Sequence, residues 1–144
     1  MTTSKILVGV DSSEHSARAV RWCADHAAAL GAEVIAVHVI DLPVYLGPGE
    51  PAMPIPPLTP EQRQELQDLA ARDWCKPLAD AGVAYRVILV DGSPAFALIR
   101  LAQDEGAELV VAGRRGIGGF AELLMGSTTH QLSHHLDRPL IIIP

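Results

Sequence analysis

Five short aliphatic runs, each followed by a stretch with helical patterning, constrain this chain more than any other feature. The runs are residues 6–10, 34–40, 83–90, 109–112 and 140–143. They are rich in Val and Ile and mostly continuous rather than alternating, which is how strands covered on both faces read. Between them, residues 13–30 place Ala17, Val20, Ala24, Ala27 and Ala28 at spacings of three and four, the period of one helix face. Gly31 is placed to stop that helix. Thr59-Pro60-Glu61-Gln62 is a helix start, with Thr59 as cap, Pro60 at the first position and Gln62 closing a capping box. That helix is expected to run to about Ala81, with Gly82 as its stop and a kink or an early last turn at Pro77. Ser93-Pro94 repeats the cap-and-proline device for a helix ending near Gly106. A last helix opens near Gly126-Ser127 and ends before Pro139. Strictly alternating strands and helices predict an α/β fold: an open, doubly wound, five-stranded parallel sheet with helices on both faces.

Composition agrees. A length of 144 residues favours a single domain spanning 1–144, and 49% hydrophobic with 19% charged residues excludes intrinsic disorder. Aromatics are only 4%, so the core is built from Ala, Val, Leu and Ile. The net charge of −6 argues against nucleic acid and anionic membrane surfaces as partners, while leaving room for a local basic pocket. Cys23 and Cys75 match no metal or redox spacing and read as free, half-buried thiols in a reducing cytoplasm. No apolar run is long enough to span a membrane. The 41–58 stretch belongs to a region with seven prolines between Pro43 and Pro60, so it reads as a long loop after the second strand.

In open parallel sheets ligands sit beyond the carboxyl ends of the strands. After the first strand come Val10-Asp11-Ser12-Ser13, and after the second Val39-Ile40-Asp41. The fourth strand leads into Gly113-Arg114-Arg115-Gly116, then nine residues on to Gly126-Ser127-Thr128-Thr129. Glycines let the backbone approach a ligand, and the opening of a helix presents free N–H groups and a positive dipole end to an anion. Ser127, Thr128 and Thr129 add hydroxyls, and Arg114 or Arg115 adds charge. The segment reads either as a phosphate cradle or as a glycine-rich surface loop before an ordinary helix, and the residues alone leave both open. It is neither a Walker P-loop, since no Gly-Lys-Ser/Thr occurs, nor the dinucleotide fingerprint, since its glycines follow the fourth strand.

These pieces together resemble the universal stress protein family over essentially the whole chain. Lys5-Ile6-Leu7-Val8-Gly9-Val10-Asp11-Ser12-Ser13, His38-Val39-Ile40-Asp41 and Gly92-Ser93-Pro94 carry part of the likeness. The most diagnostic part is the family's nucleotide signature, Gly-x2-Gly-x9-Gly-Ser/Thr, here Gly113, Gly116, Gly126 and Ser127. The resemblance implies an adenine nucleotide alpha hydrolase-like, Rossmann-like fold and membership of the ATP-binding branch. It implies Asp11 beside adenine and ribose with Val10 and Ser12 lining the pocket, and Val39 meeting adenine through its backbone. Gly113 and Gly116 would serve ribose and phosphates, with Arg114 and Arg115 strengthening contacts there. Gly126, Ser127, Thr128 and Thr129 would hold the β- and γ-phosphates. ATP is the implied cofactor, and Mg2+ is expected with it because cellular ATP normally carries it. A homodimer through the strand Leu140–Ile143, an unidentified protein partner and a stress-response role in the cytoplasm complete what the resemblance implies.

Plainer readings stand beside these. Asp11 could cap the first helix, with Glu14 three residues on completing a capping box. His130 and His134 have metal-holding spacing, with His135 adjacent, but no acidic residue stands where a zinc-dependent hydrolase would need one, so no metal is expected. His38, Trp22 and Trp74 read as packing residues. No catalytic constellation stands out: phosphoryl transfer needs a metal-positioning carboxylate and a group that orients the nucleophile, and neither Asp11 nor Asp41 has an evident partner base. The expectation is an ATP-dependent regulatory module with hydrolysis slow or absent. The alternatives are a slow ATPase or (auto)phosphotransferase with Ser127, Thr128 or Thr129 as acceptor, and a nucleotide-free structural dimer.

Overall fold

A computed structural model describes residues 3–41, 48–49, 56–115 and 125–144. The elements follow the expected alternation. They are β1 (Ser4–Gly9), α1 (Glu14–His26), β2 (Ala32–Ile40), α2 (Pro60–Leu69), a π-helical turn (Ala70–Trp74), α3 (Lys76–Asp80), β3 (Tyr85–Asp91), α4 (Pro94–Asp104), β4 (Leu109–Gly113), α5 (Ser127–His135) and β5 (Leu140–Ile143). The five strands form one parallel sheet in the order β3-β2-β1-β4-β5. Val8 pairs with Ala36 on one side and Val111 on the other, which fixes β1 at the centre.

Successive side chains of a strand point to opposite faces, and β1 shows this directly. Ile6, Val8 and Val10 pack with Val20, Cys23 and Leu78 under α1 and α3, whereas Leu7 joins Ile35, Val37, Leu98 and Leu132 under α4 and α5. Both faces are therefore dry, which explains the unbroken aliphatic runs. Trp22 and Trp74 pack at the margin of the first core, as expected of packing residues.

Helix ends follow the sequence in most places. Thr59 and Gln62 form the reciprocal capping box, with the Gln62 backbone N–H donating to Thr59 Oγ1 at 3.2 Å and the Thr59 N–H donating to Gln62 Oε1 at 2.9 Å. Gly82 takes φ +68°, a left-handed conformation that suits glycine after a helix. Three expectations change. The first helix ends at His26 instead of near residue 30, its last residues giving way to turns before Gly31. The second helix does not kink at Pro77 alone. Its ladder widens first, the Cys75 N–H donating to Ala70 O at 2.9 Å, and Pro77 then falls in the first turn of α3, where its missing N–H costs nothing. Ser93 precedes α4 but its side chain makes no cap hydrogen bond. Most of the 41–58 loop lies outside the described residues.

Candidate functional site

The chain leaves β1 towards β2 on one side, while β4 joins on the other, so the crevice expected of such a sheet is the one outside the carboxyl ends of β1 and β4. Val10 is fixed at its rim by two hydrogen bonds: its N–H donates to Val37 O at 2.8 Å, and its carbonyl accepts from His38 Nδ1 at 2.8 Å. His38 is thus a packed strand residue that ties β2 to β1, with its ring edge-on to Trp74. The Val10 side chain is buried in the core, so it supports the crevice without lining it.

Asp11 does not cap α1. The cap is Ser13, whose Oγ accepts from the Ser16 N–H at 3.2 Å. Asp11 Oδ1 instead accepts from the Ser13 N–H at 2.7 Å, and the Asp11 N–H donates to Ser16 Oγ at 2.9 Å. The turn is held from both ends by local bonds, which leaves the second carboxylate oxygen of Asp11 for other use. Exposed Ser12 lies beside it, in a cleft of about 170 Å3 walled by Arg21, Asp73 and Trp74. Val39 stands half-buried near the end of β2, opposite Val90 and on the α4 side of the sheet.

The other wall is the turn after β4. The Arg114 N–H donates to Ile143 O at 2.7 Å, and its carbonyl accepts from the Gly126 N–H at 2.8 Å, which brings the start of α5 up against the end of β4. Thr129 completes this latch: its hydroxyl donates to Gly113 O at 2.8 Å, and the residue is 3% exposed. Its hydroxyl proton is therefore engaged within the fold rather than free for a ligand. Gly126 precedes α5 with no side-chain cap bond, unlike the Ser13 and Thr59 caps of α1 and α2. The exposed Ser127 and half-buried Thr128 occupy the first turn. Gly116, and the stretch from it to residue 124, lie outside the described residues.

Gly113 has no room for a side chain. A Cβ there would lie 2.7 Å from the carbonyl carbon and oxygen of His15. The α1 start thus packs directly on the end of β4, and this contact brings in a residue not singled out from the sequence. His15 sits in the first turn of α1, and burial followed by the charges of Arg18, Arg115 and Arg114 holds its imidazole below the ordinary histidine range. The available signal was its place four residues after Asp11, just beyond the first strand, but only the β1–β4 adjacency shows which way it faces.

The cysteines are more buried than expected. Cys23 and Cys75 are both fully enclosed in the α1-side core, and burial pushes their thiols up to about 12 and about 11. His130 and His134 meet edge-to-face on the exposed side of α5, with ring centres 4.6 Å apart. Among the described residues, no group of three or more His, Cys, Asp or Glu could hold a metal ion, and no helix is long and apolar enough to cross a membrane.

The same assembly of elements occurs in known proteins. The model of the universal stress protein family matches residues 2–144. A universal stress protein of Mycolicibacterium smegmatis is 34% identical over 143 residues, covering 96% of this chain, which spans 47% of that relative. One from Synechocystis is 31% identical, and the match covers 99% of each chain. Among solved structures, a universal stress protein from Lactobacillus plantarum superposes with a TM-score of 0.75 at 22% identity, covering 100% of this chain and 99% of its own. One in complex with cAMP gives 0.71 at 24% identity, covering 99% and 98%. One from Archaeoglobus fulgidus in complex with dAMP gives 0.72 at 20%, covering 100% of both. On the match across its whole length, the chain belongs to the universal stress protein family.

Proposed function

We propose that this chain binds an adenine nucleotide, ATP foremost, in the crevice between β1 and β4, and that it works as a nucleotide-dependent stress-response module. The observation that carries this reading is the wall after β4. There a helix start with no side-chain cap, a glycine pressed against α1, and the basic Arg114 and Arg115 converge in a chain of net charge −6. Such a donor set suits a polyphosphate, because helix-start N–H groups and guanidinium groups both favour negative charge. Two structural neighbours in complex with cAMP and dAMP support the choice of an adenine nucleotide.

In this reading Gly126, Ser127 and Thr128 receive the outer phosphates, while Thr129 holds the cradle to Gly113. Arg115 and Gly113 flank the inner phosphate and ribose, and Gly116 belongs with them by the signature. Asp11, Ser12 and the Val39 backbone hold the base side, with Val10 as their fixed support. Mg2+ would accompany the phosphates. No described carboxylate at this end of the sheet is hydrogen-bonded to a histidine, and Asp91 is held by Arg63, so tight ground-state binding with little turnover is the expected behaviour. The half-buried edge strand β5 is where a second copy would pair, since an uncovered edge is otherwise prone to uncontrolled association.

The test is to purify the protein without added nucleotide, denature it, and separate the released small molecules by ion exchange against standards. An ATP peak near one equivalent per chain supports the reading. ADP or AMP in its place favours the slow hydrolase. No nucleotide, followed by no thermal shift on adding ATP and Mg2+, overturns it.

A further inference from the structure

His15 faces the turn after β4, and the contact is close: a Cβ on Gly113 would fall 2.8 Å from the His15 Cβ as well as against its carbonyl. Two side-chain nitrogens are sealed from water there without a hydrogen-bond partner among the described residues, His15 Nδ1 and Arg114 Nε. A buried polar atom left unpaired loses its hydration without return, and native structures keep few of them without a reason such as a bound ion. The charges around the ring are mostly of one sign. Arg18 approaches from α1, Arg114 and Arg115 from the turn after β4, and among the described residues Glu14 is the one acidic neighbour that acts on it. Arg18 is itself held towards the chain end by a bond to Pro144 O at 3.3 Å. In the ligand-free protein burial and this basic surround hold the ring below the ordinary histidine range and so favour its neutral form.

We propose that His15 is the proton-linked member of the anion site, becoming more protonated from solvent when a nucleotide polyphosphate settles among Arg114, Arg115 and the start of α5. The inference rests on the nucleotide reading above and adds a regulation to it. A polyphosphate reverses the sign of the local field, so the imidazolium that was repelled becomes attracted. Binding and protonation are then reciprocal: the nucleotide favours the proton, and a falling pH favours the nucleotide. The protein would hold its ligand more tightly under acidification, through a residue that contributes charge only in the loaded state.

The experiment is calorimetric titration with ATP at pH 6 and pH 8, in two buffers of different ionisation heat, on the wild type and on His15→Gln and His15→Asn. All three are checked for folding by circular dichroism. The γ-phosphate of ATP titrates in the same window for every protein, so the difference between wild type and variant is the readout. The wild type should take up a fraction of a proton that both variants lack. The variants should bind more weakly, with a deficit that widens a few-fold from pH 8 to pH 6, since a one-unit rise in the His15 pKa on binding gives at most about tenfold, reached only below both pKa values. Equal pH dependence and equal proton uptake in all three overturn the inference while leaving nucleotide binding intact. No binding by the wild type at either pH overturns the nucleotide reading itself.

Discussion

Replacing Gly113 by alanine tests how β4 and α1 fit together. The added methyl would sit 2.7 Å from two backbone atoms of His15, where ordinary contact begins at 3.4 Å, so the two elements must part by about 0.7 Å. Backbone cannot swing aside as a flexible side chain can. The first turn of α1 is held by the Ser13 cap and the Asp11–Ser16 bond, and β4 by its pairing with β1 and β5. Overpacking of this kind costs about 1–3 kcal/mol. Gly113 does not have positive φ, so alanine also restricts the unfolded chain and returns about 0.4–1 kcal/mol. The net loss should be about 1–2 kcal/mol, or roughly 2–8 °C in melting temperature for a chain of this size. Gly9 at the end of β1 is the control. Its added Cβ would meet Leu98 Cδ1 at 3.4 Å, an ordinary contact, so Gly9→Ala should be neutral or slightly stabilising. Urea unfolding followed by circular dichroism reads both. Gly113→Ala matching the wild type, or Gly9→Ala losing as much as it does, would refute the packing argument. This clash also means that Gly113→Ala cannot serve as a pure binding mutant.

Four further outcomes are expected. Thr129→Val removes the buried donor to Gly113 O and should cost about 1–2 kcal/mol in urea unfolding; a change within experimental error would show that the latch carries no stability. Arg138→Met leaves the carbonyls of Ala102 and Ala107 without the Nη1 that reaches them at 2.7 and 2.6 Å, and should cost about 2–3 kcal/mol, with faster amide exchange at the end of α4 as its local mark. Cys23 and Cys75, with thiols pushed up to about 12 and about 11, should resist a thiol reagent at pH 8 until the chain is unfolded in urea; rapid labelling of the native protein would contradict their burial. His15 has a lowered pKa in the folded chain, so the unfolded chain binds its proton first. The stability tied to His15 is therefore fully present above about pH 6.5 and lost as pH falls below it, and His15→Gln should flatten that part of the ligand-free stability curve.

Much of the architecture was legible along the chain, because strands covered on both faces must be aliphatic throughout and helix ends need particular chemistry. The five runs, the Thr59–Gln62 box and the helix opening at Gly126 each declare themselves in a few adjacent residues. What was misread depended on distant partners or on choices among near-equal local bonds. Asp11 and Ser13 are both good caps, and the Asx turn that Asp11 makes with the Ser13 N–H settles which one caps α1. The π turn before Cys75 leaves no mark in the sequence, since Pro77 accounts for an irregularity wherever it falls.

The class of fold, the glycine-and-hydroxyl segment after the fourth strand and the family likeness can all be read along the chain, because they rest on spacing within short stretches. The contacts among these residues come instead from the way the strands are ordered. Placing β4 beside β1 presses Gly113 onto His15, turns the Thr129 hydroxyl inward as a latch, and gathers Arg18, Arg114 and Arg115 around one imidazole. The contacts of His15 with Gly113, Arg114 and Arg115 join residues about a hundred positions apart, and their energetics come from burial and field, which exist only once the sheet has brought the two strand ends together.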